Sequence, residues 1–311
     1  MALEGLKDAS LKLILFGGKG GVGKTTCACA TGLHLAKDFQ TLLCSTDPAH
    51  SLADSLGQKL GDQPEKIEGI RNLSALEVNA ENALSKFKTE HGDQIRKILE
   101  TGTNLDSEDI DSMLALPIPG MDEVMGLKTL IDLIEKAGFD KYVVDTAPTG
   151  HALRLLTSPG LLDDWVKVMG KMRWKYRYIV ETFAGRYNAD EGDDFLLSMK
   201  KTIKKIEDLL RDQNRCEFIV VTIPEDMAIS ETARLMASLD KCGIRVKQLV
   251  MNNVLQSHDC RFCRAKRQEQ DKYISQVKKR IGNLTTTVIP SCSHEVKGLR
   301  ALEDFNSFLF S

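Results

Sequence analysis

No stretch of about 18 apolar residues occurs in these 311 residues, so nothing in the sequence reads as a membrane span. Nor is there an excess of either charge. The 42 Lys and Arg stand against 44 Asp and Glu, a formal net charge of -2, which gives no reason to expect a nucleic-acid-binding stripe or an acidic tail. Nucleic acid is therefore not an expected partner. The 8 cysteines lack the dense spacing of a small secreted scaffold and no signal-type segment opens the chain, so a reducing, cytoplasmic compartment is expected. No internal repeat is visible, which makes the chain one copy of its unit. A second C-x-x-C is missing too. "HDCRFCRAKR" holds Cys260 and Cys263 as a single pair, whereas a tetrahedral thiolate metal site needs four ligands.

What is present is a series of apolar, β-rich runs alternating with helical patterns: "LKLILFG" from Leu11, "TLLCSTD" from Thr41, "KYVVDTA" from Lys141, "EFIVVTIP" from Glu217, "VKQLVMNN" from Val246 and "TTTVIP" from Thr285. Such alternation predicts an α/β fold with a mainly parallel sheet covered by helices on both faces. Between these runs the strand signal vanishes twice. The chain is therefore expected to form one P-loop-type core from residues 1–79, 138–160 and 214–311. A helical subdomain would come from two excursions, 80–137 and 161–213. The polar segment "GRYNADEGDD" near Gly185 reads as a mobile loop within the second excursion.

"FGGKGGVGKTT" follows the first strand and opens a helix, and Gly18 to Thr25 fits G-x-x-x-x-G-K-[ST] at every fixed position. The backbone of Gly18, Lys19, Gly20, Gly21, Val22 and Gly23 is expected to wrap the phosphates of ATP, with Thr26 continuing the site into the helix. Lys24 reaches the β- and γ-phosphates, and the Thr25 hydroxyl ligates Mg2+. Lys19 makes the loop "GKGGVGKT", the deviant form whose extra lysine reaches the partner's nucleotide across a dimer interface, much as an arginine finger does. A nucleotide-sandwich homodimer is the consequence.

Two carboxylates belong with the loop. Asp47 ends the second strand, where Pro48 stops it, and from there it can orient or deprotonate the attacking water. Asp145 ends an apolar strand as a Walker-B aspartate does, and is expected to hold the magnesium shell through water. A helix N-cap is the plain alternative for each, and for Asp54 it is the preferred one; Ser51 can cap the helix after Asp47.

Taken in order, "GKGGVGKTT", "DPAHSLADSLG", "DTAPTGHALRLL", "TIPEDMAISETARL", "MNNVLQ" and "CRFCRAKR" resemble the arsenical pump-driving ATPase family. Within it they are most similar to the tail-anchored protein targeting factors of the guided-entry pathway, in a compact, archaeal-like form with one phosphate loop. The resemblance implies that Asp47 lies in switch I as the catalytic carboxylate and that Asp145 with "TAPTGH" forms switch II. It also implies nucleotide contacts from Glu225 and Asn252, the latter at the adenine edge, and a closing loop "PSCSHEVKG". Ser51 departs from the asparagine of many eukaryotic members.

The excursions hold six of the ten methionines, with no cysteine among them. A trivalent metalloid needs soft thiolates, so an arsenite-pump subunit is disfavoured. A Met-rich apolar groove, by contrast, accepts varied hydrophobic helices. Met113, Met121, Met125, Trp165, Met169 and Met172 are its candidate lining, with an ordinary helical core as the plain alternative for any one of them. The function expected is ATP-driven targeting. A homodimer takes up the transmembrane segment of a tail-anchored client, is recruited transiently from the cytoplasm to a membrane receptor, and releases the client as ATP is hydrolysed.

Two rivals remain, a partitioning or division-site ATPase and a redox-activated holdase needing no ATP turnover. The single cysteine pair fits the dimer. A two-fold axis beside it lets Cys260 and Cys263 of both subunits share one Zn2+.

Overall fold

A computed structural model describes residues 3–47, 51–103, 106–115, 121–136, 138–146, 149–256, 260–281 and 284–310, with the backbone alone at 113–115, 121–124, 149–162 and a few single positions. In chain order the elements begin β1 (Leu13–Gly17), α1 (Lys24–Leu35), β2 (Thr41–Ser45), α2 (Ser51–Leu56), β3 (Glu65–Lys66) and β4 (Leu73–Glu77). There follow α3 (Ala80–Gly102), α4 (Ser107–Ala115), α5 (Met121–Glu135), β5 (Lys141–Asp145), α6 (Thr149–Ala184) and α7 (Glu191–Arg211). The chain then runs through β6 (Cys216–Thr222), α8 (Asp226–Lys241), β7 (Val246–Val254), α9 (Arg261–Ile281), β8 (Thr285–Pro290) and α10 (Leu299–Leu309).

The eight strands form one sheet in the order β3-β4-β2-β5-β1-β6-β7-β8. Every pairing is parallel except β3 with β4, a short antiparallel edge. The central strands are buried at every position, as continuous apolar runs covered on both faces must be. The expected strands are all present. β3 and β4 add to them, since "LSALE" has weak strand propensity of its own and becomes a strand by pairing with β2.

Strand register places the site. Phe16 and Ser45 both pair with Asp145, so β1, β2 and β5 end at one level. The strand order also reverses around β1, and the carboxyl ends of parallel strands at such a switch point leave a crevice for a ligand. Beneath it, α1 and α10 pack on the sheet. Leu302, Phe305 and Leu309 of α10 are buried among Leu35, Ile14 and Val143, each such side chain contributing about 2 kcal/mol. The aromatic C-terminal helix is thus committed to the core.

The chain divides into two units, one comprising Met1–Asn79, Leu133–Leu153 and Leu209–Ser311, the other Ala80–Asp132 and Arg154–Asp208. The second has its own core. Ile95, Ile98 and Leu99 of α3, Ile110, Met125, Val166 and Met169 pack with Phe195, Met199 and Ile203 of α7. The i, i+4 spacing of those α7 residues sets its apolar stripe.

In the same unit the polar segment after Gly185 is anchored rather than loose. Arg173, 3% exposed, pairs with Asp190 and with Asp193 (3.3 Å), and also donates to Thr101 (3.2 Å). Tyr187 donates to the same Asp193. Among the described residues no helix is long and apolar enough to cross a membrane.

Candidate active site

The loop after β1 depends on two glycines. Gly18 has φ +155°, and a methyl there would run into the Val221 carbonyl oxygen. Gly23, at φ +95°, precedes α1, and a methyl would strike the Asn252 carboxamide. Both positions therefore need the freedom of glycine. Gly20 and Gly21 form the exposed tip, Val22 is buried, and Thr26 is half-buried in the first turn of α1. The N-terminus of α1 thus opens directly beneath the loop, the arrangement that receives a phosphate.

Lys24 is 5% exposed, with Nζ donating to the Lys19 carbonyl at 3.3 Å. Burial lowers its pKa, while the charges of Asp145 and Asp47 pull it back up. Beside it, Thr25 Oγ1 donates to Asp145 Oδ2 at 2.6 Å. Ser51 Oγ lies 3.0 Å from the same Thr25 oxygen. With the Thr25 proton committed to Asp145, Ser51 is the donor of that second bond.

Asp145 itself is fully buried, and burial pushes its carboxyl up to about 7 against the opposing pull of Thr25 and Lys24. Its Oδ1 has no hydrogen-bond partner among the described residues. A buried acceptor of this kind, next to a threonine hydroxyl with lone pairs to give, fits the water shell of a magnesium ion. Buried orphan oxygen, glycine cradle and buried lysine together suit Mg2+ with a nucleotide triphosphate.

Asp47 follows β2, its N–H donating to Ser45 Oγ (3.1 Å), and Thr46 N–H donates to the Asp145 carbonyl (3.0 Å). These bonds hold the start of the Asp47 segment against the end of β5. Pro48, Ala49, His50, Ala147 and Pro148 lie outside the described residues, as do the side chains of Thr149 and His151. Lys19 is half-buried, and its ammonium has no carboxylate partner among the described residues. Asn252 donates from Nδ2 to the Val22 carbonyl at 2.9 Å, so in this chain it touches the phosphate loop. Glu225 is exposed immediately before α8.

Elsewhere in the same unit, Cys260 stands at the entry to α9, its Sγ 2.8 Å from Cys263 Sγ and accepting the Cys263 N–H at 3.1 Å. Thiolates are favoured at a helix N-terminus, which suits a soft metal. Among the described residues no group of three or more His, Cys, Asp or Glu could hold a metal within one chain. His258 lies outside the described residues.

In the helical unit Met125 and Met169 are core residues, 2% and 4% exposed, with Trp165 and Met172 packed part-buried against them. The side chains of Met113 and Met121 lie outside the described residues. Among the described residues, the exposed large apolar side chains of α6 are on another flank, at Val168, Trp174, Tyr178, Ile179 and Phe183. The sequence points to this helix, "DDWVKVMGKMRWKYRYIV", as the lining of the groove, but the alternating Arg and Lys do not show which of its flanks is exposed. The Ser51 contact to Thr25 was equally hidden, because it joins positions 26 residues apart.

Comparison with known proteins agrees with this chemistry. The sequence model described as "Anion-transporting ATPase" matches residues 11–311. The chain is 35% identical over 319 residues to "ATPase ASNA1 homolog 1" of Paramecium tetraurelia, covering 98% of this chain and 94% of that protein. It is 32% identical over 318 residues to "ATPase GET3" of Chaetomium globosum, covering 98% and 92%. To "ATPase GET3B" of Arabidopsis thaliana it is 35% identical over 323 residues, covering 96% and 79%.

Proposed function

The chain belongs to the anion-transporting ATPase family and hydrolyses ATP to ADP and phosphate, and on that premise we propose that it targets tail-anchored membrane proteins. In this reading a homodimer forms around two nucleotides. Lys24 binds the β- and γ-phosphates, and Lys19 reaches the partner's nucleotide. Thr25 and, through water, Asp145 hold Mg2+, which when bound neutralises phosphate charge. Asp47 orients or deprotonates the attacking water. Asn252 and Glu225 border the nucleotide. Cys260 and Cys263 from each subunit share one Zn2+, which ties the dimer together.

The observation that carries the client assignment is the helical unit. It contains no cysteine, which leaves a metalloid without thiolates, and among its described residues α6 exposes five large apolar side chains, Phe183 among them at 86%. From Val168 to Phe183 that flank measures about 22 Å, against about 30 Å for a transmembrane helix. One chain is too short to cover a client, which favours two copies. Met125, Met169, Met172 and Trp165 then support the groove from below, and Met113 and Met121 complete its proposed lining. α6 begins four residues after Asp145, so a change at the magnesium site has a short covalent path into the client-binding helix. Transient recruitment from the cytoplasm to a membrane receptor completes the cycle.

Co-expression with a protein bearing one C-terminal transmembrane helix tests this. A soluble complex that depends on that helix is expected; no complex, or an equal yield with the helix deleted, refutes targeting. One zinc per two chains, lost with the dimer in a Cys260→Ser, Cys263→Ser variant, checks the metal.

A further inference from the structure

The end of β7 breaks its pairing with β8 between Met251 and Val254. Asn253, in the break, has φ 60° and is the one non-glycine residue with positive φ among the described residues. Asparagine tolerates this left-handed backbone better than most residues, and a bulge beside a site re-aims a side chain. Here the re-aimed side chain is Asn252. Its Nδ2 donates to the Val22 carbonyl of the phosphate loop (2.9 Å) and its Oδ1 accepts the Asn253 N–H (2.8 Å). A carbonyl can only accept and an N–H can only donate, so both ends of the carboxamide are assigned.

The bulge is held from behind by α9. Gln270 is 4% exposed. Its Oε1 accepts the Leu255 N–H (2.9 Å) and its Nε2 donates to the Asn253 carbonyl (3.1 Å). Arg267 donates to the Leu255 carbonyl (2.7 Å). Three backbone groups freed from the ladder are thus satisfied by two side chains of one helix. A phosphate-binding loop needs its N–H groups turned inward and its carbonyls committed elsewhere, because a carbonyl dipole facing a phosphate repels it.

We infer that Gln270 is a positioning residue for ATP binding, acting through the bulge and Asn252 to keep the Val22 carbonyl out of the phosphate cradle. It touches no nucleotide itself. Because the cradle receives the phosphates in ground state and transition state alike, its loss should appear in KM rather than kcat.

The test is steady-state ATP hydrolysis by Gln270→Met, which keeps the length of the side chain and removes both hydrogen bonds. KM for ATP is expected to rise about tenfold with kcat within about twofold of wild type. In an Asn252→Ala background the same substitution should add nothing further. Gln270→Glu supplies a second readout: a carboxylate repels the Asn253 carbonyl, whereas a protonated carboxyl donates to it. Its KM relative to wild type should therefore fall toward one as pH drops from about 8 to about 6. A wild-type KM in Gln270→Met, or a raised KM that persists in full with Asn252→Ala, overturns the inference. If Gln270→Met does not fold, a Gln270→Glu ratio that is flat with pH overturns it instead.

Discussion

Both units of the molecule bury charge, and Asp145 in one and Arg173 in the other are treated in opposite ways. In the nucleotide unit Asp145 is fully buried, bonded through one oxygen to Thr25, with the other left without a partner among the described residues. In the helical unit Arg173 is ion-paired with Asp190 and Asp193 and donates to Thr101, with the rings of Tyr176 and Tyr187 5.1 and 5.6 Å away. Burial dominates the first and drives the carboxyl up. It also works against the second, but two carboxylates outweigh it and the guanidinium pKa rises. A buried charge left under-satisfied is a binding device. One paired directly with two carboxylates is an anchor, here for the segment between α6 and α7.

Exchanging the two groups for neutral ones separates these roles. Asp145→Asn should lower the rate of phosphate release by about 100-fold or more. The ligand-free melting temperature should stay level or rise, because an unfavourable buried carboxylate is removed. A fall in both would make Asp145 an anchor like Arg173 and break the contrast.

Arg173→Met should show the reverse. It leaves two carboxylates against an apolar side chain and costs the helical unit about 2–3 kcal/mol, discounted because Asp190 and Asp193 keep 27% and 29% of their side-chain surface. Both tryptophans, Trp165 and Trp174, lie in that unit, so denaturant unfolding followed by their fluorescence reports it directly. ATP hydrolysis without client should remain within about twofold, since every nucleotide residue named above belongs to the other unit.

The third contrast is one of sign. For Asp190 and Asp193 burial raises the carboxyl pKa, but Arg173, Tyr187 and backbone N–H groups lower it further. Their stabilisation is complete above the ordinary carboxyl value of about 3.9 and is lost as pH falls through the lower folded value. Asp145 is raised instead, so the ligand-free nucleotide unit loses stability as pH climbs from about 3.9 to about 7. Tryptophan fluorescence against pH, set beside hydrogen exchange of β1 and β5 amides, should show opposite slopes. The acid limb of the helical unit should vanish in Arg173→Met.

The same pair of sites marks how far the sequence could be read. The phosphate loop is local, with strand, glycines, Lys24, Thr25 and helix all within a dozen residues, so its chemistry is written in spacing. Asp145 was legible because it ends an apolar run, and the central strands β1, β2, β5 and β6 were legible because they are buried on both faces. β4 was not, since Ser74 and Ala75 carry little strand preference and the strand exists by pairing with β2. The segment after Gly185 read as mobile because its polarity was visible and its buried partner was not. Asn252 stood out only through family resemblance, and Gln270 not at all, since a glutamine on a charged helix looks like any solvated residue.

Local pattern thus determined the α/β class, the loop that binds phosphate, the two strand-end aspartates and the family. Tertiary structure decided which oxygen meets which proton. The Thr25 hydroxyl reaches Asp145 across 120 residues, the Asn252 amide reaches Val22 across 230, and Arg173 finds Thr101 across 72. Periodicity records whether a side chain is buried, because hydrophobicity is a property of each residue. The partner of a buried polar group depends on register, bulges and helix placement, and these exist only once distant segments have packed.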